Sequence, residues 1–144
     1  MKISKIREVK SPSRGTPESA GIDFYIPQGM YASLPPGDSL CLPSGIKANV
    51  PAGHALIAFN KSGIAVKKDL IVGACVVDED YQGEIHLHMI NVGHDIIKLN
   101  AGEKLVQFIL LPVFYDTIEE VEIENLYEEV TARGEGGFGS TGTE

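Results

Sequence analysis

Val72-Gly73-Ala74-Cys75-Val76-Val77-Asp78-Glu79-Asp80-Tyr81-Gln82-Gly83-Glu84-Ile85-His86 changes character twice. An apolar run from Leu70 to Val77, interrupted only by Gly73, breaks into Asp78-Glu79-Asp80. Polar and apolar residues then alternate through Ile85, Leu87, Met89 and Ile90. Apolar strand, acidic turn, alternating strand: the pattern predicts a β-hairpin with carboxylates at its tip. A plain hairpin would turn on Asn-Gly or Asp-Gly. Three acids beside Tyr81 place mutual repulsion in a tight bend, which is either a solvated acidic turn or a functional site.

On either side, short β-favouring runs bounded by Pro or Gly recur at roughly 8–12-residue spacing. They are Ala20–Ile26, Ser39–Leu42, Gly45–Val50, His54–Phe59, Ile96–Leu99, Glu103–Phe114 and Thr117–Ile123, with residues 1–10 as an edge strand. Pro27–Pro36 reads as a turn, and the polar block Asn60–Asp69 is too short for a substantial helix. No repeat and no long 3.6-residue period is present. The expectation is an all-β, jelly-roll-like antiparallel sandwich or barrel rather than βαβ units.

At 144 residues, with 43 % apolar and 22 % charged, the chain has the size and composition of one globular domain. No apolar run is long enough for a membrane span, and Met1-Lys2-Ile3-Ser4-Lys5 lacks the apolar core of a signal peptide. The expectation is a soluble protein of the cytoplasm or another intracellular compartment (the host cell's, if viral), with no membrane partner. Cys41 and Cys75 are too few for a disulfide framework and are expected reduced and buried. The net charge of −8 argues against nucleic acid as partner. Seven of the 20 acids lie between Asp116 and Glu129 with no Lys or Arg among them, leaving 13 acids against all 12 bases elsewhere. A small anionic ligand is therefore compatible with the body of the chain if local cations, amides or a metal ion receive it.

The last fourteen residues, Thr131 to Glu144, hold five glycines and cannot pack a core of their own. A Gly-rich end is commonly a flexible terminus. This one also carries Arg133 and Phe138, a cation and a flat ring, as a lid over a phosphorylated ligand would need.

Ala20-Gly21-Ile22-Asp23-Phe24, Lys61-Ser62-Gly63-Ile64-Ala65, Gly73 to Ile85, Gly102-Glu103-Lys104-Leu105-Val106-Gln107-Phe108 and Arg133 to Gly142 resemble, in order, the five motifs of the trimeric dUTPase family. The resemblance implies a dUTPase-like β domain over 1–130, a Gly-rich lid over 131–144, and a homotrimer whose composite sites draw on all three subunits. It further implies Mg²⁺-dependent hydrolysis of dUTP to dUMP and pyrophosphate by water attack on the α-phosphorus. That reaction limits dUTP and supplies dUMP for thymidylate synthesis. Asp78 matches the water-activating carboxylate, with Asp80 its nearest competitor. Phosphate contacts are implied for Lys61, Ser62, Gly63, Gln107, Arg133, Gly139, Ser140 and Thr141. Uracil contacts are implied near Cys75, Val77 and His86, chiefly through backbone, with Tyr81 under the deoxyribose and Phe138 over the base. Asp23 stands where it could reach Mg²⁺ through water or cap its strand's turn. Lys61 replaces the family's usual Arg, keeping the charge but losing the planar fork; Cys75 replaces its usual Gly.

Lys67 and Lys68 read as solvated surface. His86 and His88 share a strand face, but no third metal ligand is evident for them. Two rivals remain. A dCTP deaminase on the same fold would place a catalytic Glu ten positions after the turn Asp, where this chain has His88. A non-catalytic binding or virion domain would carry degenerate motifs, whereas only positions 61 and 75 depart.

Overall fold

The computed structural model describes residues 1–137 and 140. Most of the Pro- and Gly-bounded runs form strands: β1 (Lys2–Lys5), β2 (Ile22–Tyr25), β3 (Ala32–Leu34), β4 (Ser39–Pro43), β5 (Ile46–Asn49), β6 (His54–Asn60), β7 (Leu70–Val72), β8 (Val76–Val77), β9 (His86–Asn91), β10 (Ile97–Leu99) and β11 (Lys104–Pro112). A two-turn helix, α1 (Ser62–Lys68), joins β6 to β7. Every strand pairing is antiparallel. The sheets run β2-β11-β6-β8, β4-β9-β7, β1-β5 and β10-β3. The result is the expected jelly-roll-like β-sandwich.

The alternation in the sequence is the alternation in the sandwich. Leu87, Met89 and Asn91 of β9 point inward, while His86 and His88 face out. Phe24, Leu56, Leu87, Met89, Leu105, Val106 and Phe108 are almost wholly buried. The Phe24 and Phe108 rings meet at 4.5 Å between centroids, tilted by 52°.

β11 carries a register shift between Lys104 and Val106 against β2. Leu105 is the extra residue, and both Leu105 and Val106 are buried. Without it Lys104 and Gln107, three apart, would lie on opposite faces. With it, Lys104 stands opposite Tyr25 and Gln107 opposite Asp23, all four on the sheet face opposite that of Phe24. The bulge therefore assembles the polar group described below.

Several expectations fail here. The stretch from Leu70 to Met89 is not a two-stranded hairpin. Gly73-Ala74-Cys75 passes the chain from one sheet to the other: β7 pairs with β9, but β8 pairs with β6. An apolar run reads the same whether its two halves are buried in one sheet or two. β3 lies within the expected turn Pro27–Pro36. Thr117–Ile123 forms no strand; its Ile118 is 98 % exposed, and a 3₁₀ turn follows at Ile123–Asn125. β-propensity is largely a packing preference, and exposed side chains do not realise it. Cys41 and Cys75 are free but exposed, not buried, because Cys41 shares the outward face of β4 opposite His88 and Cys75 sits in the corner between sheets.

Two units divide at Phe114/Tyr115. In the second, the described residues up to Glu135 are exposed and the 3₁₀ turn is their one helical element.

Candidate active site

The motif residues gather in two groups, along the two edges of β6. On the β11 edge, Asp23 is nearly buried, and each of its carboxylate oxygens meets an ammonium: Lys61 at Oδ1 and Lys104 at Oδ2, the latter at 2.8 Å. Burial pushes the Asp23 carboxyl up, but hydrogen bonds from Lys104 and Lys61 outweigh it and hold the group below its usual value. Its main chain is fixed as well, by paired amide–carbonyl bonds with Ser13 at 2.8 and 3.2 Å. Gln107 donates from Nε2 to the Asn60 carbonyl at 2.8 Å. Gly21 lies so close beneath it that a Cβ there would stand 2.0 Å from Oε1 of Gln107, so a larger residue would displace the Gln107 side chain. Lys61 is the N-cap residue of α1, which has no side-chain cap, and Ser62 and Gly63 open its first turn with exposed backbone.

On the β8 edge, Cys75, Val77, Tyr81 and His86 line one cavity of about 270 Å³ with Ile85 and Phe108. The Cys75 carbonyl accepts the Ala58 amide at 2.7 Å. Tyr81 donates its hydroxyl to the Glu84 carbonyl at 2.9 Å, which fixes the ring across the turn. Glu84 is in turn gripped by Arg7 through two bonds of 2.8 and 3.0 Å, and the Arg7 guanidinium holds its carboxyl below the usual range. Asp78 is exposed directly after β8, and its carbonyl accepts the Tyr81 amide at 3.3 Å. Glu79 is occupied, its carboxylate accepting the Gly53 amide.

A dUTPase family model matches residues 7–142. The chain belongs to the dUTPase family. It is 40 % identical to the deoxyuridine 5'-triphosphate nucleotidohydrolase of Maricaulis maris over 92 % of this chain and 87 % of that one. It is 32 % identical to the camelpox virus enzyme of the same name over 97 % and 90 %. The structure of the Staphylococcus bacteriophage 80alpha dUTPase with dUPNHPP superposes with a TM-score of 0.86 at 20 % identity, covering 98 % of this chain and 97 % of that one. A phage phi11 dUTPase variant, described with a structural Mg(II) ion, superposes at 0.74 and 19 % identity over 85 % and 97 %.

The dUTPase motifs thus fall into place unevenly. Motifs one, two and four meet at Asp23, Lys61 and Gln107, and motif three forms the cavity. Arg133 and Ser140 of motif five are exposed in the second unit, where Arg133 donates from Nε to the Gly136 carbonyl at 2.8 Å. Phe138, Gly139 and Thr141 lie outside the described residues. Sequence reasoning assigned no role to Lys104, the second cation on Asp23, nor to Asn60, which accepts from Gln107 and takes the Val72 amide on its Oδ1 at 2.7 Å. Lys104 stood inside a recognised motif, but its partner depends on the bulge.

Asp23 also predicts a pH dependence. Its folded pKa lies below the reference 3.8, so its ion pairs contribute fully above the unfolded value and are lost as pH falls through the folded one. Asp23→Asn is expected to lower Tm by roughly 5–10 °C at pH 7. The gap to wild type narrows as pH drops below about 4. Thermal unfolding of both proteins between pH 7 and 3 checks this; a constant gap contradicts it.

Proposed function

We propose that three copies of this chain form composite sites that hydrolyse dUTP to dUMP and pyrophosphate, with Asp78 as the general base. The observation that carries the reading is the clustering of four separate motifs around β6, one group cationic and one a cavity of about 270 Å³, with room for a nucleobase. Val76, Phe59 and Leu111 on the same sheet are 58, 40 and 37 % exposed, an apolar face that a second copy would cover. Asp78 orients a water toward the α-phosphorus and takes its proton. The backbone at Cys75 and Val77 reads the uracil edge; cytosine, with donor and acceptor exchanged, would leave buried groups unpaired. His86 borders the base, and the Tyr81 ring, fixed by Glu84, lies under the sugar and leaves no room for a 2′-hydroxyl.

Mg²⁺ supplies charge neutralisation on the triphosphate oxygens. Among the described residues no group of three His, Cys, Asp or Glu is placed to hold a metal ion. The ion would be carried by phosphate and water, with Asp23 reaching it through water at most. Lys61, the Ser62 and Gly63 amides, Gln107 and Arg133 neutralise and orient the phosphates. Thr131–Glu144 closes as a lid, Phe138 over the base and Gly139, Ser140 and Thr141 on the phosphates. The deciding experiment is pyrophosphate release from dUTP with Mg²⁺, with dCTP and UTP as controls, on protein whose trimeric mass is confirmed by light scattering. No release from dUTP overturns the reading.

Lys61 gives a sharper test. In the free chain its ammonium rests on Asp23, so phosphate must draw it away, while Lys104 remains to neutralise the carboxylate. Lys61→Ala is expected to lower kcat/KM about tenfold to more than a hundredfold, the range of one charge-assisted phosphate contact. Lys61→Arg is expected to retain activity. If Lys61→Ala stays within about twofold of wild type at saturating Mg²⁺, Lys61 serves only Asp23.

A further inference from the structure

Gly73-Ala74-Cys75, where the chain crosses between sheets, lies directly on the imidazole of His88. A Cβ at Gly73 would stand 2.2 Å from Nδ1 of His88. The Ala74 amide donates to that Nδ1 at 2.8 Å, and the Gly73 amide donates to the His88 carbonyl at 3.0 Å. A backbone N–H can only donate, so Nδ1 must accept and the ring carries its proton on Nε2. His86, two residues earlier on the same face, does the reverse: its Nδ1 meets the Glu84 carbonyl at 2.9 Å and must donate. The two histidines therefore do not offer a matched pair of lone pairs to a metal, and His88 is committed to the corner.

We propose that His88 is a positioning residue for base recognition: its Nδ1 holds the Ala74 amide and thereby sets the backbone of Cys75. This rests on the assignment of the Cys75–Val77 backbone to uracil. The corner is fixed on its far side by the Cys75 carbonyl, which accepts the Ala58 amide at 2.7 Å. Its near side is held by His88 alone among the described side chains that bond to residues 73–75. Cys75 therefore cannot shift away from β9 without breaking the Ala74 contact. No smaller side chain at 88 would fill the space under Gly73 and also present an acceptor, except one shaped like the proximal half of imidazole. Asparagine is that shape, with Oδ1 where Nδ1 stands.

The test uses full-length protein and steady-state hydrolysis of dUTP with Mg²⁺. His88→Leu fills the space without an acceptor and is expected to raise KM roughly three- to tenfold, the size of one lost hydrogen bond, with kcat within about twofold. His88→Asn restores the acceptor and is expected to return KM to within about twofold of wild type. Gly73→Ala, which pushes the ring off the amide while leaving His88 in place, is expected to raise KM as His88→Leu does, and covers the case in which His88→Leu fails to fold. An unchanged KM in His88→Leu or Gly73→Ala, or a His88→Asn as impaired as His88→Leu, overturns the proposal. Inactivity of the wild type on dUTP would instead overturn the function assigned above, so the two failures are distinguishable.

Discussion

Asp78→Asn is expected to lower turnover of dUTP by about 10²–10⁴-fold, the contribution of a single positioned general base, and to leave KM within about twofold of wild type. The amide keeps the shape of the carboxylate but cannot accept the water's proton. The neighbourhood narrows the choice of base. Glu79 is engaged with the Gly53 amide, and Glu84 with Arg7 and the Gly45 amide. Asp78 and Asp80 remain exposed at the turn. The turn itself is held by main chain, from the Tyr81 amide to the Asp78 carbonyl, so the substitution should not disturb it. Steady-state kinetics on Asp78→Asn and Asp80→Asn decide between the two: near-normal turnover in the first with collapse in the second moves the role to Asp80.

Removal of Thr131–Glu144 is expected to cut kcat/KM at least about a hundredfold and to leave Tm within a few degrees. The first half follows from what departs: the Arg133 charge, worth about tenfold to more than a hundredfold on a phosphate oxygen, and the ring of Phe138. The second half follows from what stays. None of the described residues in this segment is buried, and the guanidinium of Arg133 bonds within its own turn, to Gly136. A truncated protein that keeps its unfolding transition and loses activity fits a lid. Loss of the transition would show that the segment holds the fold together.

Features legible in the sequence and features hidden from it divide along a physical line. Two-residue alternation and Pro/Gly punctuation are local, so most strands and the inward set on β9 could be read directly. Motif spacing is ordered along the chain, so Asp23, Lys61, Gln107 and Tyr81 could be named as candidates. What escaped was each feature set by pairing at a distance. The switch of partner after Gly73 was invisible because burial in either sheet selects the same apolar side chains. The bulge at Leu105 was invisible because an extra apolar residue between apolar neighbours disturbs no pattern, and with it went the partnership of Lys104 with Asp23. The exposure of Cys75 escaped because a corner residue has no face until both sheets exist. His88, whose spacing with His86 suits a metal ligand, instead presents its nitrogen to a backbone amide fourteen residues earlier.

The corner at Gly73–Cys75 has a mechanical consequence. It is riveted to one sheet through His88 and to the other through Ala58, so it behaves as a strain gauge between the two halves of the sandwich. A slight shear of one sheet over the other would deform it at once. With the base read at this corner, as proposed above, its affinity would depend on the integrity of the whole sandwich. Heat or denaturant should loosen the corner together with the global unfolding of the sandwich.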